Sequence, residues 1–407
     1  MATIRTHNIV VSIDIGTTKI STLIAQRLSN DQLEIIGIGK APSHGLRKGV
    51  VVNVGQTVHS IKRAAKEAEL MAGLNIESAV IGISGSHIRS MSSQGIVPIK
   101  RGRVRQSDIA NALAAARAVP IPKGEQILHV LPQYFVIDGT EKIADPVGMH
   151  GVRLEVQAHI IMGSITSVQN LVNCCETAGI MVSDIILEQL ASAKAVLSDD
   201  ELQLGVTMID IGGGTSDVAL YQNGSIRHTM VLPIAGNHFT NDVAIGLRTP
   251  LEEAEELKHL YGLAFAEQQK EYEIIEIQQI HGGQMQKISQ KDLIRILEPR
   301  AQELLEIIHS DLLKRNLLDM MTTGIVLTGG GSLLSGIDQL AKKIFGIPVR
   351  LGIPRIMNDI PGSLEHPMYA TGYGLLLQAL KKSNNPVNGP ILKKIVMSMK
   401  SWVSDFF

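Results

Sequence analysis

The chain has 407 residues, 44% of them apolar and 19% charged, with a formal net charge of −1. That length exceeds what one hydrophobic core serves and predicts two lobes. The near-zero charge excludes a general nucleic-acid binder, so any attraction to an anionic surface must be local.

Three strand-like runs open the chain at about residues 8–15, 19–26 and 33–40, separated by short turns as in an antiparallel meander. A helix is predicted over 56–72 and a strand over 79–83. Residues 85–157 read as a separate small α/β unit, with a strand near 95–99, an alanine-rich helix over 107–119 and extended runs at 127–138 and 152–156. The main lobe is expected to resume with a strand at 158–162 and a helix over 167–178. The second half restarts the pattern with an apolar strand over 206–211, a glycine turn and a strand over 218–221. Helices follow at 237–245 and 251–261, then strands near 272–279 and a long helical region over 291–318. Within that region Pro299 is read as the first residue of a new helix, which sets Arg300 beside its positive end. A buried-type strand over 324–328, a glycine turn and a helix over 337–344 complete this half. Residues 383–390 form a polar Asn- and Pro-containing linker, and 391–407 a final segment.

Cys174 and Cys175 are neighbours and the only cysteines, which suits a reducing cytoplasm. No CxxC or HExxH pattern supports a zinc site. The N-terminus lacks the basic segment and apolar run of a signal peptide, and no stretch approaches the roughly 20 apolar residues of a spanning helix. The expectation is a protein that stays in the cytoplasm.

Three glycine turns carry the chemistry. Ile13-Asp14-Ile15-Gly16-Thr17-Thr18-Lys19 is a strand, a turn and another strand, and Ile209-Asp210-Ile211-Gly212-Gly213-Gly214-Thr215 repeats it. Each places an Asp two residues before a glycine, with a hydroxyl residue following. Glycine lets the backbone approach a ligand closely, and the successive N–H groups of such a turn make an anion-binding concavity. Asp14 and Asp210 can hold a hydrated Mg²⁺, which keeps several waters and bridges phosphates. Lys19 can neutralise one more phosphate charge. A β-hairpin alone explains either turn; two with aspartates in register point to two similar halves facing one ligand. The third turn, Leu327-Thr328-Gly329-Gly330-Gly331-Ser332, joins a strand to a helix, and a flat ring packing on it would supply its need for three glycines.

These turns, in this order, resemble the phosphate and adenosine motifs of the actin, Hsp70 and sugar-kinase superfamily. Ile186-Leu187-Glu188-Gln189-Leu190-Ala191-Ser192-Ala193 and Tyr369-Ala370-Thr371-Gly372-Tyr373-Gly374 resemble its two interdomain helices. Pro233-Ile234-Ala235-Gly236-Asn237-His238-Phe239 and Ala254-Glu255-Glu256-Leu257-Lys258 resemble the stretches that line ribose and adenine. The resemblance covers residues 8 to 380 and implies an α/β, actin-like two-lobed ATPase fold that binds ATP with Mg²⁺. It nominates Gly236, Glu255 and Lys258 beside the turn residues, and Glu188 for orienting a water in slow hydrolysis.

The small subdomain of the first lobe is displaced: only residues 41–55 occupy its usual place, and the insertion falls at 85–157. With the tail, this relocated subdomain resembles the FtsA family of bacterial cell-division proteins. The partition implied is a first-lobe core of 1–84, 158–195 and 365–382, the insertion, a second-lobe core of 196–226 and 305–364, and a small subdomain at 227–304. The linker at 383–390 and a membrane-targeting amphipathic helix at 391–407 follow. The family resemblance implies filaments or oligomers of this chain on the cytoplasmic face of the inner membrane at the division site. It also implies binding of the C-terminal peptide of FtsZ, further division proteins as partners, and no nucleic acid. For that peptide it nominates Lys291, Arg295 and Arg300.

The tail is legible without the family. At 100° per residue, Ile391, Leu392, Ile395, Val396, Met399, Trp402, Val403, Phe406 and Phe407 fall on an arc from about −40° to +120°. Lys393, Lys394 and Lys400 lie on the other side with Asp405, a basic face suited to anionic lipid. A last core helix docked on its own domain is the competing reading; the linker and the aromatic end disfavour it. A small-molecule kinase of the superfamily would need an acceptor pocket with a catalytic Asp, and none is singled out. A chaperone would need a further substrate domain, and a pilus-assembly adaptor of the PilM type has no role for the tail. His87, His129 and His159 read as structural or surface residues, Met149 as core filler, and Arg101, Arg103 and Arg105 as a solvated loop.

Overall fold

The computed structural model describes residues 8–28, 32–266, 271–280, 285–355 and 364–382. The linker and tail assigned above, 383–407, lie outside the described residues. In chain order the first lobe opens with β1 (Ile9–Ile15), β2 (Lys19–Arg27), β3 (Leu33–Pro42), and the short β4 (Leu46–Arg47) and β5 (Val50–Val51). Helix α1 (Val54–Ala72) follows, begun by the Asn53 side chain accepting from the Gln56 N–H and ended at Gly73, whose φ is 68°. This is a side-chain cap at one end and a left-handed glycine at the other. Next come β6 (Ser78–Ile83), β7 (Arg89–Pro98), α2 (Gln106–Arg117), β8 (Glu125–Ile137), β9 (Arg153–Ser164), α3 (Ile165–Thr177), β10 (Met181–Leu187), α4 (Glu188–Val196) and α5 (Asp199–Leu204). The second lobe runs through β11 (Val206–Ile211), β12 (Ser216–Gln222), β13 (Ser225–Leu232), α6 (Gly236–Leu247), α7 (Leu251–Tyr261), β14 (Ile274–Gln278), β15 (Met285–Ser289) and α8 (Gln290–Lys314). It closes with β16 (Gly324–Thr328), α9 (Ile337–Phe345) and β17 (Val349–Leu351), after which α10 (Ala370–Lys382) returns to the first lobe.

The two main sheets share one plan. The first has the order β10-β6-β1-β2-β3 and the second β13-β12-β11-β16-β17. In each, three antiparallel strands are extended by two parallel ones on the far side of the opening strand. β1 and β11 are buried almost throughout because both faces of their sheets are covered, and so they read as apolar runs. Helices α4 and α10 pack on each other between the lobes, and the first-lobe core continues into Met208, Ala219 and Val326 of the second sheet.

Residues 89–164 hold a three-stranded antiparallel sheet of order β7-β9-β8, with α2 packed on one face. The sequence reading breaks β9 at 157 and gives 158–162 to the main lobe. It is one strand, paired with β7 from Arg153 to Met162 and with β8 from Leu154 to Ser164. A second correction concerns Pro299. It lies inside α8, which is continuous, so no helix begins there and Arg300 sits mid-helix. Met149 is 43% exposed and is not core filler. The inserted sheet is fastened to the second lobe through edge strand β13. Gln133 Nε2 donates to the carbonyls of Ile226 (2.8 Å) and Arg227 (3.2 Å), Ser90 Oγ donates to the Thr229 carbonyl (3.1 Å), and His159 Nε2 lies 2.8 Å from Thr229 Oγ1.

Candidate functional site

The first two glycine turns have the same internal geometry. The Gly16 N–H donates to the Lys19 carbonyl at 3.0 Å, and the Gly212 N–H donates to the Thr215 carbonyl at 2.9 Å. Their tips face each other so closely that a β-carbon on Gly213 would collide with Thr18, and one on Gly214 with Thr17. The third turn closes one side. Gly329 has φ of 82° and backs onto the Asp210 carboxylate and the Ile211 carbonyl, leaving no room for a side chain. Gly330 has no protein atom near its Cα hydrogens and faces open cleft. The three turns enclose about 340 Å³, within the range of small-molecule pockets.

The site residues nominated from the sequence line this cleft, from Asp14, Gly16, Thr17, Thr18 and Lys19 to Asp210, Gly212, Gly213, Gly214 and Thr215. So do Glu188, Gly236, Glu255, Lys258, Gly329, Gly330 and Gly331. Ser332 is the exception. It is buried, and its hydroxyl donates to the Gly329 carbonyl at 2.7 Å, so it braces the turn from behind. Lys291, Arg295 and Arg300 lie on α8, outside the cleft lining. There the Lys291 ammonium stands 5.8 Å from the Tyr272 ring centre, and Arg295 is paired with Asp292 at 3.4 Å. Arg300 donates to Asp242 at 2.5 Å and also to Glu303.

At the floor of the cleft Asp14, Asp210 and Asp217 are buried together, with the half-buried Glu188 beside them, and all four carboxyl groups are shifted. Burial is the largest cause in each case. It pushes Asp14 up to about 6 against the opposing pull of Lys19, and Asp217 to about 7. It raises Asp210, and raises Glu188 well above the usual range with further help from Asp14, Asp217 and Asp210. Lys19 holds Asp14 at 4.0 Å, donates to the Met368 carbonyl at 2.5 Å and stands 4.4 Å from the Tyr369 ring centre. Asp210 accepts from Ser192 Oγ of α4 (2.5 Å) and Thr371 Oγ1 of α10 (3.2 Å). Asp217 accepts from Thr215 (3.0 Å) and from Ser84 of the first lobe (2.5 Å), a hydrogen bond that crosses between the lobes. Among the described residues no three carboxylate, His or Cys groups converge closely enough to hold a metal ion by themselves.

At the second-lobe wall α6 and α7 make a polar corner. The first N–H groups of α6, at Gly236 and Asn237, donate to the carbonyls of Gly212 (3.0 Å) and Gly213 (2.8 Å), tying that helix to the second turn. Glu255 accepts from Lys258 at 2.6 Å and from Thr240, and Lys258 donates to Thr240 Oγ1 at 2.9 Å. Glu255 is held below its ordinary value despite its burial, by Lys258 first and then Thr240.

The full-length relatives decide the family. Over the whole of both chains the protein is 42% identical to the cell division protein FtsA of Pseudomonas aeruginosa. The chain belongs to the FtsA family of cell division proteins. A family model described as cell division protein FtsA matches residues 207–374, and one described as the SHS2 domain inserted in FtsA matches residues 85–162. The second match ends at 162, two residues before the end of β9, and not at 157. Among solved structures, a PilM–PilN type IV pilus biogenesis complex resembles this FtsA-family chain with a TM-score of 0.66 at 18% identity, covering 91% of it and 98% of the other chain. The ADP-bound MreB5 of Spiroplasma citri does so with a TM-score of 0.57 at 17% identity, covering 93% and 99%. Both show the actin-like fold.

Sequence reasoning gave no role to Ser84, Lys40, Ser192, Thr371 or Asp217. Ser192 and Thr371 stand inside the two interdomain-helix motifs, and Asp217 lies two residues beyond Thr215 of the second turn, where an acid was the available signal. Ser84 and Lys40 belong to the cleft only through folding.

Proposed function

We propose that this FtsA-family protein binds ATP with Mg²⁺ in the interlobe cleft, assembles with copies of itself and links FtsZ to the membrane. The observation that carries the nucleotide reading is the pair of apposed glycine hairpins with Asp14 and Asp210 buried behind them. The acids fit Mg²⁺: hard oxygen donors whose burial raises their affinity for protons, with Asp210 adding to that at Asp14, call for a cation. Asp14 and Asp210 would hold it through its waters, and it would supply positive charge to offset the negative charge of the phosphates. Glu188, whose carboxyl is raised well above its ordinary range by burial and then by Asp14, Asp217 and Asp210, can hold a water by hydrogen bonding. Slow hydrolysis is the activity proposed for it. Because both lobes and the helices α4 and α10 meet at the cleft, the ligand's binding energy favours one interlobe angle, and a fixed angle favours head-to-tail assembly.

The domain partition, with the insertion ending near 162 to 164, is part of the same reading. So is membrane attachment through residues 391–407, which rests on their apolar arc and three lysines; no helix among the described residues is long and apolar enough to cross a membrane. FtsZ-tail carboxylates would meet Lys291 directly, and would have to compete with Asp292 for Arg295 and with Asp242 and Glu303 for Arg300.

Thermal shift with Mg·ATP tests the core of the proposal. Wild type is stabilised, and Gly213→Val, which drives a side chain into Thr18, loses that stabilisation while still melting cooperatively. An equal ATP shift in both would remove the phosphate assignment. Vesicle sedimentation of the chain truncated at Asn388 tests the anchor, which fails if binding is unchanged. Anisotropy of a labelled FtsZ-tail peptide tests α8, with equal affinity for wild type and Arg300→Glu as the negative result.

A further inference from the structure

The cleft lining contains five carboxyl side chains, Asp14, Glu188, Asp210, Asp217 and Glu255, and three lysines, Lys19, Lys40 and Lys258. A polyphosphate meeting such a wall needs a cation that is not already engaged. Lys19 is held by Asp14, the Met368 carbonyl and the Tyr369 ring, and Lys258 by Glu255 and Thr240. Lys40 differs. It is exposed, and among the described residues its ammonium group meets no carboxylate; Glu67 accepts from its backbone N–H at 2.8 Å instead.

Lys40 stands on β3 opposite Ser21 of β2, the residue whose hydroxyl donates to Asp14. It therefore reaches the same corner as Lys19. His366, just before α10 and outside the cleft lining, is near enough that burial and then both lysines disfavour its protonation. Lys19 and Lys40 share this corner, where the carboxylates present are already engaged, Asp14 with Lys19 and Glu67 with the Lys40 backbone N–H. Convergence of like charge costs free energy unless an anion is accommodated. Gly329–Gly331 and α7 occupy the opposite, second-lobe wall, so a nucleotide whose ring packs there extends its phosphates toward this corner.

We propose that Lys40 receives the terminal phosphate of the nucleotide, with Lys19 behind it, and that this corner distinguishes a nucleoside triphosphate from a diphosphate. The inference rests on reading the cleft as a nucleotide site. The test measures ATP and ADP affinities, each with Mg²⁺, for the full chain and for Lys40→Ala, an exposed substitution that leaves the core untouched. ATP affinity falls about tenfold, the loss of one charge-assisted hydrogen bond, while ADP affinity is unchanged and Lys40→Arg restores the preference. In the same titration, inorganic phosphate raises the melting temperature of the ADP-bound wild type and not that of Lys40→Ala. Equal losses for ATP and ADP, or none for either, overturn the proposal. Failure of the wild type to bind either nucleotide overturns the cleft reading itself, and this proposal with it.

Discussion

Strands β1 and β11 hold the same place in sheets of the same strand order, and each ends in a buried aspartate beside a glycine turn. Their surroundings differ. Asp14 is answered by a cation from its own lobe, Lys19, and by a long 3.4 Å contact from Ser21. Asp210 is answered chiefly by hydroxyls, from Ser192 on α4 and Thr371 on α10, which also bond each other at 2.9 Å. One half is neutralised by an ion and the other by dipoles carried on the interlobe helices. A shift of those helices therefore changes the hydrogen bonds of Asp210 directly and reaches Asp14 one step removed, through Lys19, which is held by Met368 and Tyr369 just before α10.

Removing the cation should do the most harm. Lys19→Met leaves Asp14 buried without its partner, which costs about 3 kcal/mol in urea unfolding at pH 8. At pH 5.5 the loss is smaller, because Asp14 can take up a proton instead. An equal loss at both pH values would mean that Lys19 acts through packing on Tyr369. The next effect is the pH profile of the nucleotide-free protein. Asp14 and Asp217 rise from an ordinary 3.8 to about 6 and about 7, so the native state holds their protons more tightly than the unfolded chain does. Their stabilising contribution is complete below pH 3.8 and is lost as pH rises through 6 and then 7. The urea midpoint of Asp217→Asn should fall less than that of wild type between pH 5 and 8, and parallel profiles would count against a raised Asp217. The smallest change comes from Ser192→Ala, which removes one hydroxyl from Asp210 and leaves Thr371. It should cost about 1–2 kcal/mol and lower Mg·ATP affinity modestly, with calorimetry as the measure. A loss matching that of Lys19→Met would erase the contrast between the two halves.

Much of this was legible in the sequence because it is local. Glycine turns, their aspartates and the apolar strands ahead of them are contiguous patterns, and all three turns meet in the cleft. What escaped depended on distance or on mixed polarity. Strand β13 reads Ser-Ile-Arg-His-Thr-Met-Val-Leu, with Thr229 bonded to the insertion and the buried His228 bonded to Asp311 of α8, so no clean alternation announces it. β9 was cut because its polar first half and apolar second half look like two elements, yet one strand passes from an exposed end of the insertion into the core. Pro299 misled through its usual meaning. Near the middle of a 25-residue helix, the packing of Leu297, Ala301, Leu304 and Leu305 in the core outweighs the hydrogen bond it forfeits. Lys40 and Ser84 carry no motif at all.

The attachment of the insertion to β13 has a consequence for how this protein can be taken apart. β13 is the outer strand of the second sheet, and the carbonyls of Ile226, Arg227 and Thr229 are occupied by side chains from β7 and β8. A chain cut at 85 and rejoined after 164 would uncover that row. An uncovered strand edge is a template for any extended peptide. Residues 85–164 are thus a cover for a distant part of the same molecule, and an excision variant that clumps would report the bared edge of the second lobe before it reported any lost partner.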